Sequence, residues 1–126
     1  KAADLGNANA MYMIGFMYHE GEGVAQNYAE ALKWFKKAAD LGDATAMTNI
    51  GLMYILGKGV AENYAEAMKW FKKAADLGNA NAMYMIGFMY EKGLGMPENR
   101  SEAVRWYEKA AAAGQKDAIS RLEQIK

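Results

Sequence analysis

The residues that could do chemistry in this chain are few and lie far apart. His19 is the single histidine and there is no cysteine, so the sequence offers neither a catalytic triad nor a histidine-rich metal site. Glu20 and Glu22 beside it could suggest a ligand cluster, but they precede a glycine-rich turn and are better explained as a solvated loop end. No Ser-x-x-Lys motif surrounds Ser101 or Ser120. We therefore expect a non-enzymatic protein with no metal and no cofactor.

Three glycine-rich segments could suggest phosphate binding, at residues 21–24, 57–60 and 93–96. A phosphate loop needs a preceding strand and a Gly-Lys-Ser/Thr ending, and neither is present. Each segment instead separates two helical patterns. Paired glycines there can supply the positive φ angles that end one helix and reverse the chain.

The composition narrows the class of protein further. Hydrophobic residues make up 52% of the 126 residues, yet no apolar run approaches the length of a membrane span. Fifteen basic and fifteen acidic residues cancel, so no net field favours nucleic acid or an anionic membrane. No secretion signal opens the sequence. We expect a soluble chain whose partners are proteins or peptides, with no nucleic acid and no membrane; its localisation stays open.

The elements that would position any functional side chain are set by an internal repeat. Three copies of one unit and the start of a fourth occupy residues 1–36, 37–72, 73–108 and 109–126. Residues 1–18 and 73–90 are identical. A period of this size is typical of units that bury their apolar faces only by stacking on their neighbours. We therefore expect a single repeat domain over residues 1–126, closed by a C-terminal capping helix within 109–126.

Each unit is predicted to hold two helices, so the fold class is all-α. Helix A is expected at residues 8–20, 44–56 and 80–92, with Asn7, Asp43 and Asn79 as N-caps. Helix B follows the glycine turn, and its start resembles a capping box with Asn27, Asn63 or Asn99 as the cap. Each helix B is expected to end at a glycine, namely Gly42, Gly78 or Gly114.

Positions that recur in every copy are expected to form the core. In the first helix A they are Ala10, Met11, Ile14, Gly15, Met17 and Tyr18. Glycine inside a helix costs about 1 kcal/mol relative to alanine, so Gly15, Gly51 and Gly87 indicate close packing against a bulky aromatic residue. Trp34, Trp70 and Trp106 are the candidates for that partner.

Positions that differ between copies lie on the opposite face of helix A. This face carries exposed apolar and aromatic side chains, and such a patch usually marks a contact site. An alternative is that Phe16 and Phe88 are partly buried against the neighbouring A helix. The candidate peptide-binding residues are Asn9, Tyr12, Met13, Phe16, Thr48, Asn49, Leu52, Leu56, Tyr84, Met85, Phe88 and Lys92.

The recurring motif resembles the Sel-1-like repeat, a relative of the tetratricopeptide repeat. It consists of Ala10, Gly15, Tyr18, Gly21, Gly23, Val24, Tyr28, Ala31, Trp34, Phe35, Lys37, Ala38, Ala39 and Gly42. The resemblance implies a right-handed α-solenoid superhelix of stacked antiparallel helix pairs, with the A helices on the concave surface. It also implies an adaptor that gathers other proteins. The carboxylate clamp of some tetratricopeptide relatives is not expected, since only Asn49 matches it. The sequence departs from the repeat at the start of the third helix B, where Arg100 replaces the tyrosine of Tyr28 and Tyr64.

The two ends of the repeat differ. Residues 115–126 correspond to a fourth helix A in which Glu123 replaces the packing glycine and Ser120, Arg121 and Gln124 make the outer side polar, as in a cap. Residues 1–6 match only the tail of a helix B. We therefore expect the N-terminal end to be uncapped and to self-associate or to adjoin a further segment.

The leading hypothesis is an interaction scaffold that binds a peptide on the concave A-helix face. An engineered or consensus structural repeat protein without a natural ligand is the alternative, because identity over residues 1–18 and 73–90 suits an assembled repeat.

Overall fold

A computed structural model describes the backbone of residues 2–125 and the side chains of residues 7–125. The described backbone forms seven α-helices and no strand. They are α1 (Ala2–Glu20), α2 (Tyr28–Asp40), α3 (Ala44–Leu56), α4 (Tyr64–Asp76), α5 (Ala80–Lys92), α6 (Arg100–Ala112) and α7 (Lys116–Ile125). The all-α prediction is confirmed, and α1, α3 and α5 are the A helices of three successive units.

The helices stack in chain order, as the repeat predicts. Each B helix packs against the A helix of its own unit and against the next A helix, so α2 lies between α1 and α3, α4 between α3 and α5, and α6 between α5 and α7. One apolar cluster continues from α2 to α5, and a smaller one joins α6 to α7. The result is an all-α solenoid of helix pairs whose core is a seam between units.

Asparagine caps begin the B helices where the sequence places them. The Asn27 Oδ1 atom accepts a hydrogen bond from the Glu30 backbone N–H at 3.1 Å, and Asn63 and Asn99 do the same. A capping box has two hydrogen bonds, and the predicted one forms only from the Glu30 N–H to the Asn27 side chain. The Asn27 N–H donates to the Tyr18 carbonyl at 2.9 Å, so the cap ties the start of helix B to the preceding helix A.

A Schellman turn ends helix B at the predicted glycine. The Gly42 N–H donates to the Ala39 carbonyl at 2.9 Å, and the Asp43 N–H donates to the Ala38 carbonyl at 3.1 Å. This hydrogen-bond pattern needs a left-handed residue after the helix, and Gly42 has a φ of 95°. Asp43 then caps α3 by accepting from the Ala46 N–H at 3.0 Å.

The start of the first helix differs from the prediction. Asn7 lies inside α1, which runs without a break from Ala2 to Glu20, so Asn7 is not an N-cap. In later units a complete B helix packed across the A helix holds the turn at Gly42. The backbone of residues 2–6 instead continues α1. The side chains of residues 1–6, expected to be the tail of a helix B, lie outside the described residues.

The aromatic partner of the helix glycines is not tryptophan. A Cβ atom added to Gly51 would lie 2.5 Å from Phe71 Cε1, and Gly15 and Gly87 meet Phe35 and Tyr107 in the same way. Neighbouring residues on a helix point about 100° apart. Phe71 therefore faces the A helix, whereas Trp70 is half-buried with the Lys73 Nζ atom 4.7 Å from its ring.

The predicted core positions are buried or half-buried in α3 and α5, but two of them are exposed in α1. Ile50 and Ile86 are fully buried, but Ala10 is exposed and Met17 is 37% exposed. The prediction that Ala10 and Met17 are core residues is therefore wrong. The physical reason is that α3 and α5 each follow a packed B helix, and none precedes α1 in the described structure.

Candidate protein-binding groove

Two depressions lie between the A helices, on the face where the sequence differs between copies. The first has a volume of about 190 Å³ and separates α1 from α3. The predicted site residues that line it are Tyr12, Phe16, Asn49, Leu52 and Leu56. His19, Glu20, Met53 and Lys58 complete it.

The second depression, of about 250 Å³, lies between α3, α5 and the start of α7. The predicted residues that line it are Thr48, Asn49, Leu52, Tyr84 and Met85. Its remaining lining residues were not predicted from the sequence, and they are Thr45, Asn79, Asn81, Gln115 and Asp117. Asn49 and Leu52 of α3 line both depressions, so the two adjoin on the face of the A helices. We call the two together the A-helix groove.

Aromatic rings form part of the wall of the A-helix groove. The Tyr12 ring centroid lies 5.6 Å from that of Phe35 and 6.4 Å from that of Phe16. Tyr84 packs in the same manner on Tyr107 at 5.5 Å. Ring pairs at such distances are stabilised beyond simple area burial. These tyrosines therefore lie on fixed B-helix rings, which limits their movement when a ligand binds.

A hydrogen bond joins the two A helices at the middle of the groove. The Asn49 Nδ2 atom donates to the Tyr12 hydroxyl at 3.3 Å. The carbonyl oxygen of the same amide remains able to accept from a ligand. This contact places a polar group between the apolar side chains of Tyr12 and Leu52 in the groove lining.

Thr48 lies on the groove face but is not an open surface residue. Its side chain is 4% exposed, and the hydroxyl lies 3.0 Å from the Ala44 carbonyl and 3.1 Å from Asn79 Oδ1. Asn79 also caps α5 through the Ala82 N–H. Thr48 thus connects α3 to the start of α5 beneath the groove.

Four predicted site residues do not line either depression. Asn9 and Met13 are exposed on α1, with Met13 49% exposed. Phe88 lies on α5 with the Lys92 Nζ atom 6.0 Å from its ring. Lys92 lines a separate depression near the C-terminal end of α7. The face proposed from sequence is therefore wider than the groove that the structure forms.

A polar network at the third unit was not predicted. The Arg121 guanidinium donates through Nη2 to Glu91 Oε2 at 2.6 Å and through Nε to Oε1 at 2.9 Å. The Tyr107 hydroxyl donates to Glu91 Oε1 at 2.7 Å. Two parallel donors from arginine to one carboxylate are among the stronger contacts in proteins. Arg121 therefore holds α7 on α5. The prediction that Arg121 lies on the polar outer side of the capping helix is wrong.

This network shifts the acid–base behaviour of its members. The Arg121 hydrogen bond, with a smaller contribution from Tyr107, holds the pKa of Glu91 below its ordinary value, against the opposing effect of burial. Burial first, and then the Glu91 carboxylate, raise the pKa of Tyr107 above its usual range. The carboxylate is thus charged and the phenol neutral at pH 7.

Three positions at which the sequence departs from the earlier copies of the repeat could have indicated this network. Tyr107 stands where the earlier units have Phe35 and Phe71. Glu91 and Arg121 also occupy positions that hold neither charge in the earlier copies. A hydroxyl, an acid and a base that all deviate in adjacent units indicate mutual contact.

The described residues contain no cluster of three or more side chains able to hold a metal ion. Within the same residues, none of the helices has the length and apolar character needed to cross a bilayer.

Comparison with known proteins identifies the repeat. The Sel1 repeat family model matches residues 8–43, 44–79 and 80–115. The chain belongs to the Sel1 repeat family. The family model begins each unit at helix A. Its unit boundaries therefore lie seven residues after the boundaries at residues 1, 37 and 73 given above. Sel1 repeat proteins form a non-catalytic family that generally acts in protein interaction.

Solved Sel1 structures resemble the chain closely. A Sel1 repeat protein from Oxalobacter formigenes is 39% identical over 92% of this chain and 48% of that protein, with a TM-score of 0.84. The c5321 protective antigen of uropathogenic Escherichia coli is 40% identical over 98% of this chain and 27% of that protein, with a TM-score of 0.89. The chain thus spans less than half of either protein.

A third match is cysteine-rich protein B of Helicobacter pylori, at 25% identity over 94% of this chain and 95% of that protein, with a TM-score of 0.73. This chain has no cysteine, so no disulfide bond contributes to its stack. A comparison with curated protein sequences found no match.

Proposed function

We propose that this Sel1 repeat chain is a non-enzymatic interaction module that binds a segment of a partner protein in the A-helix groove. The observation that carries the proposal is that the two depressions adjoin at Asn49 and Leu52, which line both. A segment lying across the A helices would meet apolar side chains from α1, α3 and α5 in turn. Grooves of this kind bind peptides through apolar anchors at regular intervals.

The groove lining favours a partner segment that is apolar and largely uncharged. Lys58 and the acidic Glu20 line the first depression, and Asp117 lines the second. These charges lie among apolar and amide side chains, so no single sign of charge dominates. An acidic or basic peptide would gain little from such a surface, whereas apolar side chains would be desolvated against Leu52 and Tyr84.

A peptide selection with two matched variants tests the proposal. Peptides selected on the full chain are measured by calorimetry against Leu52→Ser and against Leu77→Ser. Leu77 lies at the end of α4, is 58% exposed and does not line the groove. Loss of a central apolar contact is expected to weaken binding about tenfold or more for Leu52→Ser, with no change for Leu77→Ser.

Circular dichroism of both variants separates loss of binding from loss of fold. Equal affinity of the two variants would contradict the groove as the binding site. A selection that returns no shared motif would contradict peptide binding and would favour a structural repeat without a ligand.

A further inference from the structure

The second depression of the A-helix groove, between α3, α5 and the start of α7, is lined by several side-chain amides. They belong to Asn49, Asn79, Asn81 and Gln115. Among the described residues that line this depression, Asp117 is the one charged residue, so no cation faces a ligand there. A wall of this kind suits neutral polar groups, and the orientation of each amide shows which groups it can bind.

A relay of hydrogen bonds fixes the orientation of the Asn81 amide. The Ala118 N–H donates to Gln115 Oε1 at 2.7 Å, and Gln115 Nε2 donates to Asn81 Oδ1 at 3.1 Å. Because a backbone N–H can only donate, the bond at Ala118 assigns the oxygen and the nitrogen of both amides. Asn81 therefore keeps its Nδ2 group, with two N–H donors, for a ligand.

The Asn79 amide is oriented in the same sense. Its Oδ1 atom accepts from the Ala82 N–H at 2.9 Å and lies 3.1 Å from the Thr48 hydroxyl. Within residues 7–125, the Nδ2 groups of Asn79 and Asn81 make no hydrogen bond. The start of α5 thus contributes two neutral donor groups to the lining of the depression.

Hydrogen-bond acceptors lie on the two neighbouring A helices. On α3, Asn49 donates through Nδ2 to the Tyr12 hydroxyl, which leaves its Oδ1 atom as an acceptor, and on α7 the Asp117 carboxylate is an acceptor. Donors flanked by acceptors complement the carbonyl and N–H groups of a peptide main chain. In a helical segment these groups bond to one another, whereas an extended segment offers them to its partner.

We propose that the second depression binds the main chain of a partner segment in an extended conformation. Main-chain carbonyls accept hydrogen bonds from the Nδ2 groups of Asn79 and Asn81, and main-chain N–H groups donate to Asn49 Oδ1 or to Asp117. An apolar side chain of the segment packs on Leu52, which lines the same depression. This inference rests on the proposed function and adds to it the conformation of the bound segment.

The substitution Asn81→Asp tests the donor without removing the acceptor. The aspartate can still accept from Gln115, and an acidic side chain in the first turn of a helix is stabilising, so the fold should be retained. Asn9→Asp is the matched control, because residues 1–18 and 73–90 are identical and Asn9 lines neither depression. Both variants change the charge of the chain by the same amount.

The probe is the neutral tripeptide N-acetyl-alanyl-leucyl-alanine methylamide, titrated into the isotope-labelled full chain and followed by nuclear magnetic resonance. The side-chain amide signals of Asn79 and Asn81 should shift to saturation, and that of Asn9 should not. Asn81→Asp should weaken binding about tenfold, since a donor is replaced by a charge that repels a carbonyl oxygen. The Asn9→Asp protein should bind as the unaltered chain does.

A second probe tests the conformation of the segment. Replacing both alanines of the tripeptide by α-aminoisobutyric acid confines the backbone to helical angles, and this probe should bind about threefold more weakly or less. Equal binding of the two probes, equal binding by the Asn81→Asp and Asn9→Asp proteins, or no shift at Asn79 and Asn81 would overturn the inference.

The peptides selected on the full chain separate this inference from the proposed function. If their affinity falls with Leu52→Ser but not with Asn81→Asp, the groove binds a segment and the main-chain contacts proposed here are refuted. If their affinity is the same with Leu52→Ser as with Leu77→Ser, the groove itself is refuted as the binding site.

Discussion

Replacement of Gly51 by alanine tests the packing that holds each helix pair together. Alanine favours the helical conformation of the folded chain by about 1 kcal/mol over glycine. The added Cβ atom would lie 2.5 Å from Phe71 Cε1, whereas carbon atoms pack at about 3.5–4.0 Å. The Phe71 ring is fully buried, so it can move aside only by displacing the close-packed side chains around it. Overpacking of this kind costs about 1–3 kcal/mol.

The short distance puts the overpacking cost at the upper end of that range. We therefore expect Gly51→Ala to lower the free energy of unfolding by about 2 kcal/mol, as the balance of overpacking and helix propensity. Phe71→Leu alone should also destabilise the chain, because it leaves a cavity. In the double variant the new methyl group occupies part of that cavity, so the two effects should couple by about 0.5–3 kcal/mol.

Urea unfolding followed by circular dichroism measures these free energies. The cycle is repeated with Trp70→Phe in place of Phe71→Leu, as a control that changes the adjacent aromatic residue. Gly51→Ala should be additive with Trp70→Phe, since Trp70 does not face α3. A stabilising effect of Gly51→Ala, or coupling to Trp70 and not to Phe71, would refute the packing argument.

Three further predictions concern buried polar contacts. Because the pKa of Glu91 is lower in the folded chain than its ordinary 4.5, its stabilisation of α7 is present above about pH 4.5 and is lost as the pH falls; the protection factors of α7 amides against hydrogen exchange should fall there, and Glu91→Gln should remove this pH dependence. Because the pKa of Tyr107 in the folded chain is raised above 10.0, its contribution to stability is present below pH 10 and is lost as the pH rises through the folded pKa; Tyr107→Phe should reduce the loss of unfolding free energy that urea titrations show above pH 10. Thr48→Val should cost about 0.5–1.5 kcal/mol by removing a buried hydrogen bond near Asn79, whereas Thr45→Val, at an exposed position of the same helix, should leave the urea midpoint unchanged.

Much of the fold was predictable because it depends on local sequence. The bounds of α3 and α5 agree with the prediction to the residue, since Asp43 and Asn79 cap them through bonds to nearby backbone groups. The Schellman turn at Gly42 is equally local. The candidate groove was predictable only in outline, because the repeat separates shared from variable positions but does not show which variable side chains meet.

The sequence by itself determined the period, the helix pairs, their caps and the face of helix A that is free to vary. These features are governed by hydrogen bonds between residues a few positions apart and by helical periodicity. The tertiary structure decided which ring meets Gly51, how deep Thr48 lies, and how Arg121 binds Glu91. Those outcomes depend on side chains from different helices that approach one another in space. Residues 7–18 and 79–90 share one sequence, yet Ala10 and Met17 are exposed in α1 whereas Ala82 and Met89 are buried in α5, because in the described structure only α5 follows a packed B helix.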